Sequence, residues 1–122
     1  VYEGIRRWFA ALDAEMAATG SESAPVAIAE IPLLFETGRP TDFDRVVVAV
    51  CSPEEQRRRV TLRDGLAPAA VDRRIAAQMP LEEKRRRSDY TIDTDGPPQR
   101  TDSQVIEVWE RLRSEAAERA RS

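Results

Sequence analysis

Arg45-Val46-Val47-Val48-Ala49-Val50-Cys51, followed without a break by Ser52-Pro53-Glu54-Glu55, is the stretch whose reading decides the fold. Four valines in the six positions from Val46 to Cys51 argue for strand over helix, because β-branched side chains pack well on a pleated surface and lose rotamer freedom in a helix. The run is apolar without alternation, the pattern of a strand covered on both faces. Ser52 then stands at N-cap, Pro53 at N1 and Glu55 at N3, a capping box that opens a helix running to about Arg63 and stopping at Gly65. A covered strand leading directly into a helix is the unit from which parallel sheets are built.

Upstream, Pro25-Val26-Ala27-Ile28-Ala29-Glu30-Ile31 is a second short apolar run and reads as another covered strand. Before it, Ile5, Trp8, Phe9, Leu12 and Met16 fall at helical spacing, predicting a helix over 2–18 with Gly20 as its stop and both Trp8 and, later, Trp109 in helix packing. Downstream, Pro68 opens a helix with Ala69, Val71 and Ile75 on one side, and Pro80 ends it or begins a third short helix through Arg87. Tyr90-Thr91-Ile92 is a minimal strand, Asp95-Gly96-Pro97-Pro98 a turn, and Thr101-Asp102-Ser103-Gln104 a second capping box before a helix carrying Val105, Val108, Trp109 and Leu112. The polar tail from Glu115 to Ser122 is expected to fray.

The order α-β-β-α-α-α-β-α predicts an α/β fold, a three-stranded parallel sheet with helices on its faces, within one domain over 1–122. Three strands are few for a sheet buried on both sides, and the chain opens on Val1 in what reads as the middle of a helix. The expectation is therefore a domain truncated at its N-terminal side.

The 122 residues carry nineteen basic and twenty-two acidic side chains, a net charge of −3 that disfavours a nucleic-acid partner. The average conceals a basic segment: nine arginines and Lys84 stand between Arg57 and Arg87 against Asp64, Asp72, Glu82 and Glu83, a local +6. With no histidine and Cys51 as the one cysteine, histidine and multi-thiolate zinc sites and a His-dependent triad are excluded, as is an intrachain disulfide. No apolar run reaches bilayer length and the start has no signal-peptide layout, so the chain reads as cytoplasmic, with no membrane partner.

Arg59 and Arg63 share a helix face, and Arg74 and Gln78 repeat the spacing on the next helix. Guanidinium groups converging from two helices suit phosphate oxygens; the plain alternative is a solvated arginine surface. Glu30, at the end of an apolar strand, is placed to hold a water of Mg²⁺ or simply to face solvent. Pro32-Leu33-Leu34-Phe35-Glu36, apolar and then acidic, either caps the core or lines a pocket. Cys51 reads as a small buried residue, since there is no histidine to activate it.

Six blocks then stand in order: Ile31-Pro32-Leu33-Leu34-Phe35-Glu36, Phe43-Asp44-Arg45-Val46-Val47-Val48, Cys51-Ser52-Pro53-Glu54-Glu55-Gln56, Arg63-Asp64-Gly65-Leu66, Arg74-Ile75-Ala76-Ala77-Gln78-Met79-Pro80, and Asp89-Tyr90 to Ile92-Asp93. Over residues 25 to 96 the chain resembles the second half of dephospho-CoA kinase. The resemblance implies a parallel-sheet P-loop nucleoside triphosphate hydrolase-like kinase fold with a helical lid, here about 64–88. It implies ATP and Mg²⁺ as cofactors, and dephospho-CoA as the substrate phosphorylated on its ribose 3′-hydroxyl, the last step of coenzyme A biosynthesis.

The resemblance puts Arg63 and Arg74 at the transferring phosphates, with Arg59 and Gln78 beside them. It puts Asp93 to Gly96 in the loop near the adenine, Pro32, Leu33, Leu34, Phe35 and Glu36 on the dephospho-CoA side, and Glu30 at the metal where the family more often has Asp. There are departures. Thr94 replaces the usual Asn, Thr91 replaces an apolar residue, and no G-x-x-x-x-G-K-[ST] occurs, Lys84 being the only lysine. The chain by itself is therefore expected to be inactive. A non-catalytic nucleotide- or CoA-binding module of the same descent is the alternative, and another small-molecule P-loop kinase a third reading.

Overall fold

The structure, a computed structural model, describes residues 2–19 and 26–121. The elements are α1 (Tyr2–Thr19), a 3-10 turn at Pro40–Asp42, β1 (Val47–Val50), α2 (Pro53–Asp64), α3 (Pro68–Ala76), α4 (Leu81–Arg87), β2 (Tyr90–Asp93) and α5 (Pro98–Arg121). They fall into two compact units, one of Pro32–Ile106 and one of the residues up to Ile31 with those from Glu107 onward. Among the described residues no helix is long and apolar enough to cross a membrane.

In the Pro32–Ile106 unit, β1 and β2 pair in parallel, with Val47 opposite Tyr90 and Val50 opposite Asp93. A side chain starts the ladder: the Val46 N–H donates to Asp89 Oδ2 at 2.7 Å across 43 positions of chain, and the Asp89 N–H returns a bond to Val46 O at 2.9 Å. At the far end the Thr94 N–H donates to Val50 O at 2.8 Å. Burial alternates along the strand, with Val46 and Val50 buried and Val47 40% exposed. The expected two-sided cover is thus corrected to a single covered face, although α4 packs against β1.

Among the described residues the sheet has two strands rather than three. Residues 26–31 form no strand, and Ile28 is 69% exposed. Strand side chains do not make a strand unless the backbone donors and acceptors find a ladder, and this run has none among the described residues. Pro25, and the helix stop expected at Gly20, lie outside the described residues.

α2 forms as its caps dictate. Ser52 Oγ accepts from the Glu55 N–H, and Gly65, at φ +61°, donates to Thr61 O at 2.9 Å. A Cβ at Gly65 would meet nothing within 4 Å, so Gly65→Ala carries only the backbone cost of the left-handed region. Urea unfolding is expected to show a loss of about 1 kcal/mol.

α3 stops at Ala76 with Ala77 as its cap, so Gln78 lies beyond the helix and does not repeat the Arg59–Arg63 spacing; Pro80, two residues on, starts α4 as its N-cap. Val71 of α3, 1% exposed, is the most buried apolar side chain where α2 and α3 pack together. α5 begins at Pro98, so Thr101 is inside the helix and caps nothing: proline at the first helical position is the stronger start. That start sets the phase, and Thr101, Gln104, Val108 and Leu112 form the covered line while Val105 and Trp109 remain 46% and 40% exposed. The tail continues as helix to Arg121. In α1, Ile5, Phe9, Leu12 and Met16 are half-buried as their spacing predicts, but Trp8 is 48% exposed, its ring lying 5.2 Å from that of Phe9.

Candidate functional site

Parallel pairing puts the carboxyl ends of β1 and β2 side by side, the edge where α/β sheets present ligand-facing groups. There the Asp95 carboxylate accepts from the Ser52 N–H at 2.8 Å and from Ser52 Oγ at 3.4 Å. The Asp95 N–H donates to Asp93 Oδ1 at 2.9 Å. Arg59 reaches across from α2: its guanidinium donates to Thr94 Oγ1 at 2.7 Å and to Thr94 O at 2.9 Å, with Nε held by Glu55 Oε1 at 2.9 Å. From α5, Arg100 donates to Asp93 Oδ2 and to Asp95 O, each at 3.3 Å. Gln104 brackets the end of β2, accepting from the Asp93 N–H at 2.9 Å and donating to Asp93 O at 2.8 Å. Gly96, at φ +84°, makes the turn that brings Arg100 back over this loop.

The electrostatics follow from these bonds. The Asp95 N–H, and then Arg100, hold the Asp93 carboxyl below its usual range. Arg58, and then Arg59, pull Glu55 down from 4.5 to about 2. Because this value is lowered on folding, the stabilisation it represents is present above the unfolded-state value and is lost as pH falls through about 2. An NMR titration of the Glu55 carboxyl is expected to show its midpoint near 2, with the Arg59 Nε signal following it; a midpoint at the ordinary carboxylate value would mean the arginines do not hold it.

A second cluster lies at the α2–α3 junction. Arg63 grips Asp64 with two bonds of 2.9 and 3.0 Å, and Arg74 donates to the same carboxylate at 2.5 Å. Arg63 first, then Arg74, hold Asp64 below the usual carboxylate range. Both guanidinium groups remain largely open to solvent, the Arg63 side chain at 67% and Arg74 at 48%. Two fork-shaped donors from different helices on one anionic centre is an arrangement that phosphate oxygens can also satisfy.

The Pro32–Glu36 run forms a turn closed by the Thr37 N–H on Leu33 O at 3.0 Å and the Gly38 N–H on Phe35 O at 3.2 Å. It both caps the core and faces outward: Phe35 is buried while Leu33 is 46% exposed and Pro32 is also exposed. Glu36 turns to the protein, pairing with Lys84 Nζ at 3.0 Å and accepting from the Met79 N–H at 3.0 Å. Burial pushes its carboxyl up, but Lys84 and the Met79 N–H prevail and leave it lowered. The Cys51 thiol, half-buried, is pushed up by burial, as suits a packing residue rather than a nucleophile.

The predicted residues therefore assemble in part. Arg59 meets the Asp93–Gly96 loop, and Arg63 meets Arg74 through Asp64. Arg59 and Arg63 share a helix but end on different partners, and Gln78 is exposed beyond α3. Glu30 is an exposed carboxylate in the other unit. No group of three or more Asp, Glu or Cys side chains is placed to hold a metal ion among the described residues. Thr94 and Asp95 belong to the expected Asp93–Gly96 loop, whereas Asp64, Lys84, Arg100 and Gln104 join the two clusters as partners that helical spacing does not single out. The single lysine among arginines was a signal for Lys84, whereas Gln104 was masked by its resemblance to a cap.

Parallel strands, a loop fastened at their carboxyl ends and helices packed beside them define an α/β protein built on a parallel sheet. The chain belongs to the dephospho-CoA kinase family, whose model matches residues 9–99. It is 44% identical over 90 residues to the dephospho-CoA kinase of Rhodopseudomonas palustris strain CGA009, covering 74% of this chain and 45% of that one. With the dephospho-CoA kinase of Syntrophotalea carbinolica it shares 42% over 112 residues, 92% of this chain and 50% of the relative. The crystal structure of TT1252 from Thermus thermophilus superposes with a TM-score of 0.70 at 30% identity, over 92% of this chain and 55% of that one. The chain thus spans about half the length of the curated relatives it matches.

Proposed function

We propose that this chain forms part of a P-loop kinase that transfers a phosphoryl group from ATP to the ribose 3′-hydroxyl of dephospho-CoA, completing coenzyme A. The observation that carries the reading is the convergence of Arg63 and Arg74 on Asp64. Phosphoryl transfer asks a protein chiefly to position two substrates and to stabilise negative charge spread over phosphoryl oxygens. Solvent-open arginines resting on a carboxylate are preorganised for that charge, and a phosphate chain, with more oxygens and more charge, displaces the carboxylate. The segment 64–88, with Arg74 inside it and Arg63 at its edge, is the lid. The Asp93–Gly96 loop borders the adenine, with Arg59 holding it through Thr94, and the turn at 32–36 receives dephospho-CoA. Gln78 joins the lid's polar edge. Mg²⁺, when bound with ATP, would neutralise phosphate charge, and Glu30 is the residue that would hold one of its waters.

Within this sequence the lysine of a phosphate cradle is missing, and Lys84 is occupied by Glu36. Coenzyme A formation from ATP and dephospho-CoA, followed by chromatography, is expected for the whole kinase carrying this chain and not for the 122-residue chain alone. Product from the chain alone would overturn the placing of the cradle elsewhere. A whole protein that binds CoA or nucleotide without turnover would favour the non-catalytic module, and turnover of nucleoside monophosphates instead would move the substrate class.

A further inference from the structure

Lys84 is the only buried charged residue among the described residues, 7% exposed in a chain whose other eighteen basic side chains are arginines. Its neighbours on α4 behave differently: Arg85 turns to Glu82, and Arg86 and Arg87 turn to Glu83, all three arginines exposed. Lys84 points inward to Glu36, whose Oε2 also accepts the N–H of Met79, the residue just ahead of the proline that starts α4. One carboxylate therefore joins the 32–38 turn to the α3–α4 junction, across 43 positions of sequence.

An ion pair with one buried partner, here Lys84 against the partly exposed Glu36, is weak evidence for stability, because desolvation offsets much of its attraction and an apolar pair of like size often holds a fold as well. What the pair does provide is a defined position for Glu36. The turn is closed from Thr37 to Leu33, so slack at Glu36 passes directly to Leu33 and Leu34.

We infer that Glu36 and Lys84 are positioning residues: their pairing ties the acceptor turn to the base of the lid and so sets where the turn meets its substrate. This rests on the reading of the 32–36 turn as the dephospho-CoA side, and it reassigns Glu36 from touching substrate to holding the turn that does. A compact ammonium suits the site, since an arginine fork in the same space brings a larger, planar head.

The test uses the whole kinase with Glu36→Leu and Lys84→Met together, which removes both charges and leaves none buried without a partner. The double variant is expected to unfold near the parent's thermal midpoint, to raise KM for dephospho-CoA roughly tenfold or more, and to leave KM for ATP within about twofold. Glu36→Gln alone, which keeps the length but loses the charge that holds Lys84, serves as the milder variant and is expected to raise the same KM in the same direction. If thermal stability changes while both KM values stay at the parent's, or if both KM values rise together, the pair is not a positioning device for the acceptor turn. A parent enzyme that fails to phosphorylate dephospho-CoA would instead sink the functional reading on which the inference rests.

Discussion

Replacing Arg63 by alanine in the whole kinase is expected to lower kcat by about 30- to 1000-fold, which corresponds to about 2 to 4 kcal/mol, the scale of losing one preorganised donor to charge that develops in the transition state. The guanidinium is already oriented by its two bonds to Asp64 and is open to solvent, so a phosphate takes it over without reorganising α2. KM for dephospho-CoA is expected to move little, because the proposed function sets Arg63 at the phosphate end. Arg58→Ala provides the contrast: Arg58 hydrogen-bonds Glu55 at the start of α2, one turn from Arg63 and away from Arg74, and its loss is expected to cost far less turnover. Steady-state kinetics on the two variants decide the point, and equal turnover for Arg63→Ala and the parent would assign Arg63 to the surface.

The largest effect on stability is expected at Val71. Its side chain is 1% exposed between α2 and α3, and Val71→Asp puts a carboxylate where no water reaches it. Such a group neutralises itself by taking up a proton, with a shift of about 3 units or more. At neutral pH that costs about 4 kcal/mol, a large part of the stability of an ordinary domain. The penalty eases as pH falls toward the ordinary carboxylate range, because the buried form is then already protonated in both states. Denaturant unfolding at pH 7 and pH 5 is expected to show the deficit narrowing at the lower pH, whereas an isosteric Val71→Thr is expected to cost much less. A pH-independent deficit would mean that the carboxylate escapes to solvent.

The elements that could be read from the chain are those whose causes are local. β1 and α2 were legible because a valine run, a Ser52 cap, Pro53 and Gly65 each act within a few residues of themselves. Residues 26–31 have equally strand-like side chains and form no strand, because a ladder partner is not a local property. The start of α5 was misplaced for a related reason: Thr101 and Gln104 have the spacing of a capping box, but Gln104 spends its amide on the end of β2, eleven positions away. Charge gave the arginine clusters but not their partners. That Arg63 and Arg74 share Asp64 follows from how α2 and α3 pack, and that Arg59 grips Thr94 follows from the strand register.

Three side-chain tethers close the same length of chain: Glu36 to Met79, Asp89 to Val46 and Asp95 to Ser52 each span 43 positions. Closing a loop of that size costs entropy once, and the cost grows only slowly with length. When the first tether forms, the others find their partners already near at hand. The intervening helices, α2, α3 and α4, rest on local bonds and can be in place before closure. The slow event in assembling this unit is accordingly expected to be a single encounter between residues 36–52 and residues 79–95, and the 32–38 turn, the first strand and the start of α2 would be put in order by that one step.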